Sequence, residues 1–197
     1  MDESPDAGFY VAPRFVVHID APTIAALTDW YAEVLAPGAD VLDLMSSWVS
    51  HLPDPAVLPL GRVVGLGLNE AELAANPRLG AWDVHDLNTE PKLPYADASF
   101  DAVLCAVSIQ YLVRPLEVFA EAARVLRPGG RVAVATSHRC FPTKAIRAFH
   151  VLPPGERLAA IALYLERAGG FEPATRVDRS PPGADPLWIV TALRRRS

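Results

Sequence analysis

Cys105 and Cys140 are the whole thiol complement of the 197 residues. Two cysteines are too few for a disulfide framework or a zinc knuckle, so a reducing cytoplasm is the expected compartment. No apolar run approaches the roughly 20 residues that cross a bilayer, which argues against a membrane partner. The opening residues, MDESPDAG, are acidic and polar, unlike a secretory or transit leader. Positive charge is scarce as well: the net charge is −5, and the one basic cluster, RRRS at 194–197, reads as a solvated tail. A surface built for phosphates needs clustered Lys and Arg, so no nucleic-acid partner is expected. The five histidines (18, 51, 85, 138 and 150) lack the spacings that hold metals, and no metal is expected. One further absence is local. The strand-like run VLDL (41–44) is followed by Met45, Ser46, Ser47 and Trp48, without the glycine that a nucleotide on the strand tip ordinarily requires.

What is present is an alternation of apolar runs and amphipathic segments. Half of the residues are hydrophobic, and the length suits one domain with a substantial core. TIAALTDWYAEVL (23–35) has helical spacing, with Thr23 as the expected cap. FDAVLCAVS (100–108) and GRVAVATS (130–137) are near-continuous apolar runs of strand length, as expected for strands buried on both faces of a parallel sheet. An amphipathic helix ending in RPGG lies between them, and a second, 156–171, ends in glycines before a strand beginning near Phe171. The predicted fold is an α/β sandwich of about seven strands, mostly parallel. Its last two strands, joined across DRSPPGADP (178–186), are expected to form an antiparallel pair at one edge. Residues 1–20 read as an amino-terminal arm or lid, and residues 21–197 as a single domain.

Several segments together resemble the class I S-adenosylmethionine-dependent methyltransferases, in particular the small type-11 group. LPYADASFDAVLCAVSIQYL (93–112) looks like the approach to that family's fourth strand. EAARVLRPGGRVAVATS (121–137) is similar to its helix, glycine stop and fifth strand. VVGLGLNEAEL (63–73) and VLDL align with the second and first strands. The resemblance implies a Rossmann-like methyltransferase sandwich, with S-adenosyl-L-methionine across the carboxyl ends of the first strands. By position, Asp43 matches the acidic residue of the first motif, Asp86 the acceptor for the adenine amino group, and Leu87 a backbone donor beside it. Leu68 stands where an apolar side chain covers the adenine. Val107, at the end of the fourth strand, joins the cofactor side by position. Two departures are visible: the glycine loop is replaced, with Ser46 and Ser47 offering hydroxyls, and Gly67 stands where the family has an acid for the ribose. Asn69 and Glu70 are the substitutes in reach, and Trp48 either walls the site or belongs to the core.

Chemistry on the acceptor needs an in-line approach and, for a protonated nucleophile, a base. His51 after the first strand, His138 in SHRCFPTK (137–144) and Tyr111 after the fourth strand are the catalytic candidates. His51 has an alternative reading as a helix-start residue facing solvent. Arg139 would suit a carboxylate-bearing acceptor, and Cys140 is reactive only if its pKa is lowered. Gln110 is a further acceptor-side candidate. In the arm, Tyr10, Arg14, His18 and Asp20 are the polar members, with Arg14 matched to the cofactor carboxylate. A small-molecule acceptor fits a chain near the bare core of the fold, and a homodimer is a possible assembly. The alternative is a methyltransferase-like module that binds or scaffolds without turnover.

Overall fold

The computed structural model describes residues 11–196 together with Gly8. Its elements are α1 (Ala21–Val34), β1 (Val41–Leu44), β2 (Val63–Gly67), α2 (Glu70–Ala75), β3 (Ala81–Val84), β4 (Phe100–Ala106), a short 3-10 turn (Ile109–Tyr111), α3 (Pro115–Val125), β5 (Leu126–Thr136), α4 (Arg147–Val151), α5 (Pro154–Ala168), β6 (Thr175–Asp178) and β7 (Trp188–Leu193). The seven strands form one sheet in the order β3-β2-β1-β4-β5-β7-β6. β1 pairs in parallel with both β2 and β4, and β7 runs antiparallel between β5 and β6. The expected antiparallel pair therefore lies at the edge. Phe171 contributes only an isolated bridge to Arg194, and its strand begins at Thr175.

Period-two alternation assigns the strand residues to two faces. Leu42, Val64, Val103, Val132 and Val190 pack with Val118, Phe119, Ile161 and Leu165 of α3 and α5. Val41, Val63, Ala102, Leu104 and Ile189 pack with Leu27, Trp30 and Tyr31 of α1 on the other face. The crossover from β1 to β2, residues 45–62, contains no helix. It carries Pro53, Pro55 and Pro59, which remove donors a helix would need. Leu52 and Leu58 of this coil close the α1 face instead. The helix expected to begin at Thr23 begins at Ala21. Its cap is Asp20, whose Oδ1 accepts the Thr23 N–H at 3.1 Å, while the Thr23 hydroxyl donates to Asp185 O at 2.6 Å.

At the amino ends of β1 and β4, Arg127 reaches Asp40 at 2.9 Å and Asp101 at 2.5 Å. This cluster leaves the carboxyl ends of the strands free for a site. No helix among the described residues is long and apolar enough to cross a membrane.

Candidate functional site at the carboxyl ends of the strands

The carboxyl ends of β1 to β4 open into a cavity enclosing about 1020 Å3, its open mouth included. It lies where open α/β sheets take ligands. The coil after β1 brings Asp43, Ser46, Ser47 and His51 to its wall. β2 and the turn after it bring Gly67, Leu68 and Asn69. The β3 side adds Asp86 and Leu87, the β4 side adds Val107 and Tyr111, and the arm adds Arg14.

The turn after β1 keeps a backbone that suits glycine without having one. Met45 has φ 56°, in the left-handed region, where a side chain costs about 1–2 kcal/mol. Hydrogen bonds hold it there. Ser46 and Ser50 both donate their hydroxyls to Asp43 Oδ2 at 2.6 Å, and the Ser46 N–H donates to Leu66 O at 2.8 Å. Asn76 Nδ2 donates to Ser47 O and to Ser50 Oγ, each at 2.8 Å. Asp43 is only 4% exposed, and burial pushes its carboxyl up to about 6 despite the two serine donors. The hydroxyls of Ser46 and Ser50 thus serve the loop itself, with Asp43 as their anchor.

Gly67 ends β2 directly beneath this turn. A Cβ there would lie 2.2 Å from Ser46 O and 3.2 Å from Leu73 Cδ2. Backbone fills the place in which an acid would stand. A carboxylate does reach the cavity nearby, from Glu72 of α2, which the sequence reading passed over in favour of Glu70. Glu72 is 6% exposed; Oε1 accepts the Arg14 N–H at 2.7 Å, and Oε2 accepts the Ser47 hydroxyl at 2.6 Å. A signal for it exists in the sequence. Asn69 and Glu72 have capping-box spacing, and Asn69 Oδ1 does accept the Glu72 N–H at 3.1 Å. The reciprocal bond is absent because the Glu72 carboxylate is drawn to Ser47 and the arm.

Past β3, the Asp86 carboxylate accepts from the Asn88 N–H at 2.9 Å and the Thr89 hydroxyl at 2.9 Å. Asp86 is therefore a turn residue as well as a cavity residue. Asn88 in turn donates to Tyr111 O at 2.9 Å and joins the β3 and β4 sides of the cavity. Val107 has φ 45°, a rare conformation for a β-branched residue. Two bonds hold it: its N–H donates to Ala135 O at 2.8 Å, and its carbonyl accepts from Gln110 Nε2 at 2.8 Å. Gln110 is thereby a buried brace outside the lining of this cavity. The Tyr111 ring stacks on Phe141 with centroids 5.9 Å apart, and its hydroxyl accepts the Phe141 N–H at 2.7 Å. His18 meets Phe141 edge-on at 5.3 Å.

His51 corrects the solvent-facing alternative. No helix starts there, the residue is 5% exposed, and its carbonyl accepts the Thr28 hydroxyl at 2.9 Å. Its backbone is left-handed at φ 53°, and Nδ1 is buried without a hydrogen-bond partner. Burial, aided by the charge of His18, lowers its pKa to about 4, so the ring is neutral at pH 7.

His138 is a correction of the other kind. It lies outside the cavity lining, with Nε2 3.4 Å from Asp185 Oδ1. Arg139 is held by the same carboxylate, at 2.9 Å, so its charge is already answered and the argument for a carboxylate-bearing acceptor falls. Asp185 draws both because it is tied to the start of α1, donating its N–H to Asp20 Oδ2 at 2.8 Å. Burial raises the Cys140 thiol, the wrong direction for a reactive cysteine. Trp48 is neither core nor wall: its Nε1 donates to Val16 O at 2.9 Å and its ring meets Phe15, pinning the arm. Asn69 Nδ2 donates to Val11 O at 3.2 Å, and the Arg14 guanidinium lies 6.0 Å from the Phe141 ring centre. Arg14 and His18 of this segment line the cavity, while Tyr10 falls outside the described residues. Among the described residues no cluster of His, Cys, Asp or Glu is placed to hold a metal ion.

Known proteins resemble this chain in sequence and in fold. A family model described as a methyltransferase domain matches residues 47–134. A 27-O-demethylrifamycin SV methyltransferase of Amycolatopsis mediterranei is 40% identical over 146 residues, covering 67% of this chain and 53% of the relative. The chain thus spans about half the length of that relative. Among solved structures, an S-adenosylmethionine-dependent methyltransferase from Mesorhizobium loti matches with TM-score 0.57 at 19% identity, over 86% of this chain and 98% of the other. The [4+2]-cyclase SpnF matches with TM-score 0.62 at 20% identity, over 87% and 81%. At such identities the two structures speak for the fold alone. The methyltransferase-domain match and the rifamycin relative carry the assignment: the chain belongs to the S-adenosylmethionine-dependent methyltransferases, with the class I fold.

Proposed function

We propose that this protein transfers the methyl group of S-adenosylmethionine to a small molecule bearing a protonated nucleophile. The observation that carries the reading is the convergence of every cofactor-side candidate with His51 and Tyr111 on a single cavity. Small-molecule acceptors are also what the rifamycin relative and a demethylmenaquinone methyltransferase of Renibacterium salmoninarum are named for. When bound, the cofactor supplies an electrophilic methyl group on a sulfonium. The chain's own residues do the rest. Leu68 offers an apolar surface and Asp86 an acceptor at the β2 and β3 tips. Val107, Tyr111 and Phe141 wall the β4 side with apolar and aromatic surface, which excludes water and suits an uncharged acceptor. His51 takes the acceptor's proton: its ring is neutral at pH 7, and a freshly alkylated O–H or N–H is far more acidic than that of a free acceptor. Arg14 and the arm cover the mouth as a lid.

Titration with S-adenosylmethionine and S-adenosylhomocysteine tests the reading directly. Binding of both in the micromolar range is expected, and no binding at millimolar concentration would overturn it. The same calorimetry locates the adenine end. Asp86→Ala is expected to weaken S-adenosylhomocysteine about tenfold, since a hydrogen bond to a charged acceptor is worth about 1.5–3 kcal/mol. An unchanged affinity with an unchanged melting curve would remove Asp86 from the site. A second reading, a cofactor-binding module without methyl transfer, is favoured by one observation, the rebuilt turn at Met45. Tight binding without transfer to any acceptor in a broad chemical panel would support it.

A further inference from the structure

Glu72 stands five residues beyond Gly67, in the first turn of α2, and its side chain lines the cavity. We propose that Glu72 accepts hydrogen bonds from the two ribose hydroxyls of the cofactor, an assignment that rests on the methyl-donor reading above. Three observations converge on it. First, position 67 cannot hold an acid, because a Cβ there would lie 2.2 Å from the backbone oxygen of Ser46. Second, Glu72 lines the same cavity as the β2 tip residues Gly67, Leu68 and Asn69, three residues beyond the last of them, and is bonded across to Ser47 of the β1 turn. Third, its acceptor capacity is only half used. A carboxylate has about four lone-pair sites, and here two neutral donors, the Ser47 hydroxyl and the Arg14 N–H, occupy one on each oxygen.

Among the described residues Glu72 makes no ion pair. His18 is within electrostatic reach, and burial favours its neutral form, so donors rather than a full positive charge must complete the shell of this nearly buried carboxylate. A vicinal diol brings two O–H donors at a spacing that matches the two carboxylate oxygens, and charge-assisted bonds of this kind are the stronger class. The Ser47 and Arg14 bonds fix the carboxylate so that both oxygens are presented together. The arm is part of this construction, since its Arg14 N–H closes onto Glu72 from the mouth. A ribose bound there would therefore touch a group that the lid itself holds.

The competing occupant of this carboxylate is the cofactor's ammonium group, and a cycle of two ligands and two proteins separates them. S-adenosylhomocysteine and its 2′-deoxy analogue are titrated into the full chain and into Glu72→Gln. The unaltered protein is expected to prefer S-adenosylhomocysteine about tenfold or more, and Glu72→Gln to reduce that preference to within about twofold. A tenfold preference retained in Glu72→Gln, or an equal loss of both ligands, overturns the assignment, the second outcome being the one an ammonium contact gives. Glu72→Met, of similar length and without polar atoms, is titrated in parallel and must also abolish the preference, so that the test stands if one variant folds poorly. Failure of the unaltered protein to bind S-adenosylhomocysteine at all would instead overturn the methyl-donor reading, and this assignment with it.

Discussion

Gly67→Asp, the substitution that would restore the family's usual acid, is expected to damage the protein. The new Cβ would stand 2.2 Å from Ser46 O, and that oxygen has little freedom to retreat. The Ser46 N–H is bonded to Leu66 O, its hydroxyl to Asp43, and the next carbonyl to Asn76. Relieving the clash means breaking part of that network or burying a second carboxylate beside Glu72. Overpacking and an unpaired buried charge are each among the larger causes of mutational instability, and a loss of about 3 kcal/mol is expected. For a domain of this length that is roughly 6–12 °C in melting temperature. Affinity for S-adenosylhomocysteine should fall with it. Gly67→Ala carries the same steric load without the charge, so comparing the two variants by thermal melts separates the causes. Tighter binding at unchanged stability in Gly67→Asp would show that the ribose acid belongs at 67 and that the turn yields.

Two buried groups in the same wall are expected to give opposite pH dependences of stability. Asp43 starts from 3.8 in the unfolded chain and is raised by burial to about 6. The folded protein then holds a proton that the unfolded chain has lost, so this group's contribution declines as pH rises from about 4 to 6, by about 3 kcal/mol. His51 starts from 6.5 and is lowered to about 4, chiefly by burial and further by His18. Its contribution is complete above pH 6.5 and is lost, also by about 3 kcal/mol, as pH falls to about 4. Over pH 4–6 the two largely cancel. Removing either exposes the other. His51→Asn, chosen because Asn tolerates the left-handed backbone at φ 53°, should gain on the parent as pH falls from 6.5 to 4. Asp43→Asn should gain on the parent as pH rises from 4 to 6. Urea denaturation across this range measures both differences; curves parallel to the parent would mean that neither group is desolvated as described. With any acceptor that the protein turns over, His51→Asn should also lower the rate about 100-fold or more if the imidazole takes the proton.

The elements that carry the site were legible because their signals are local. The inner stretches of β4 (102–106) and β5 (132–135) are continuously apolar, and α3 repeats its apolar face every three to four residues before RPGG, so each announces its own conformation. Their order then leaves few ways to cover a parallel sheet on both faces. The same logic set the places of Gly67, Leu68, Asp86 and Leu87, since residues just beyond strand ends must ring the carboxyl edge whatever their side chains do. Residues 45–62 and 137–146 have no such periodicity, and there the sequence alone left His51, His138 and Trp48 undirected. Partners far along the chain decided them: Thr28 and the packing of α1 hold His51 inward, Asp185 draws His138 and Arg139 away, and Val16 takes Trp48. Glu72 was hidden for the same reason. Its spacing from Asn69 predicts a local bond within α2, and its turn into the cavity depends on Ser47, 25 residues earlier, and on Arg14, 58 residues earlier. Backbone conformation is encoded over a few residues, whereas the direction of a polar side chain in a coil is set by whichever donor the tertiary fold brings within about 3 Å.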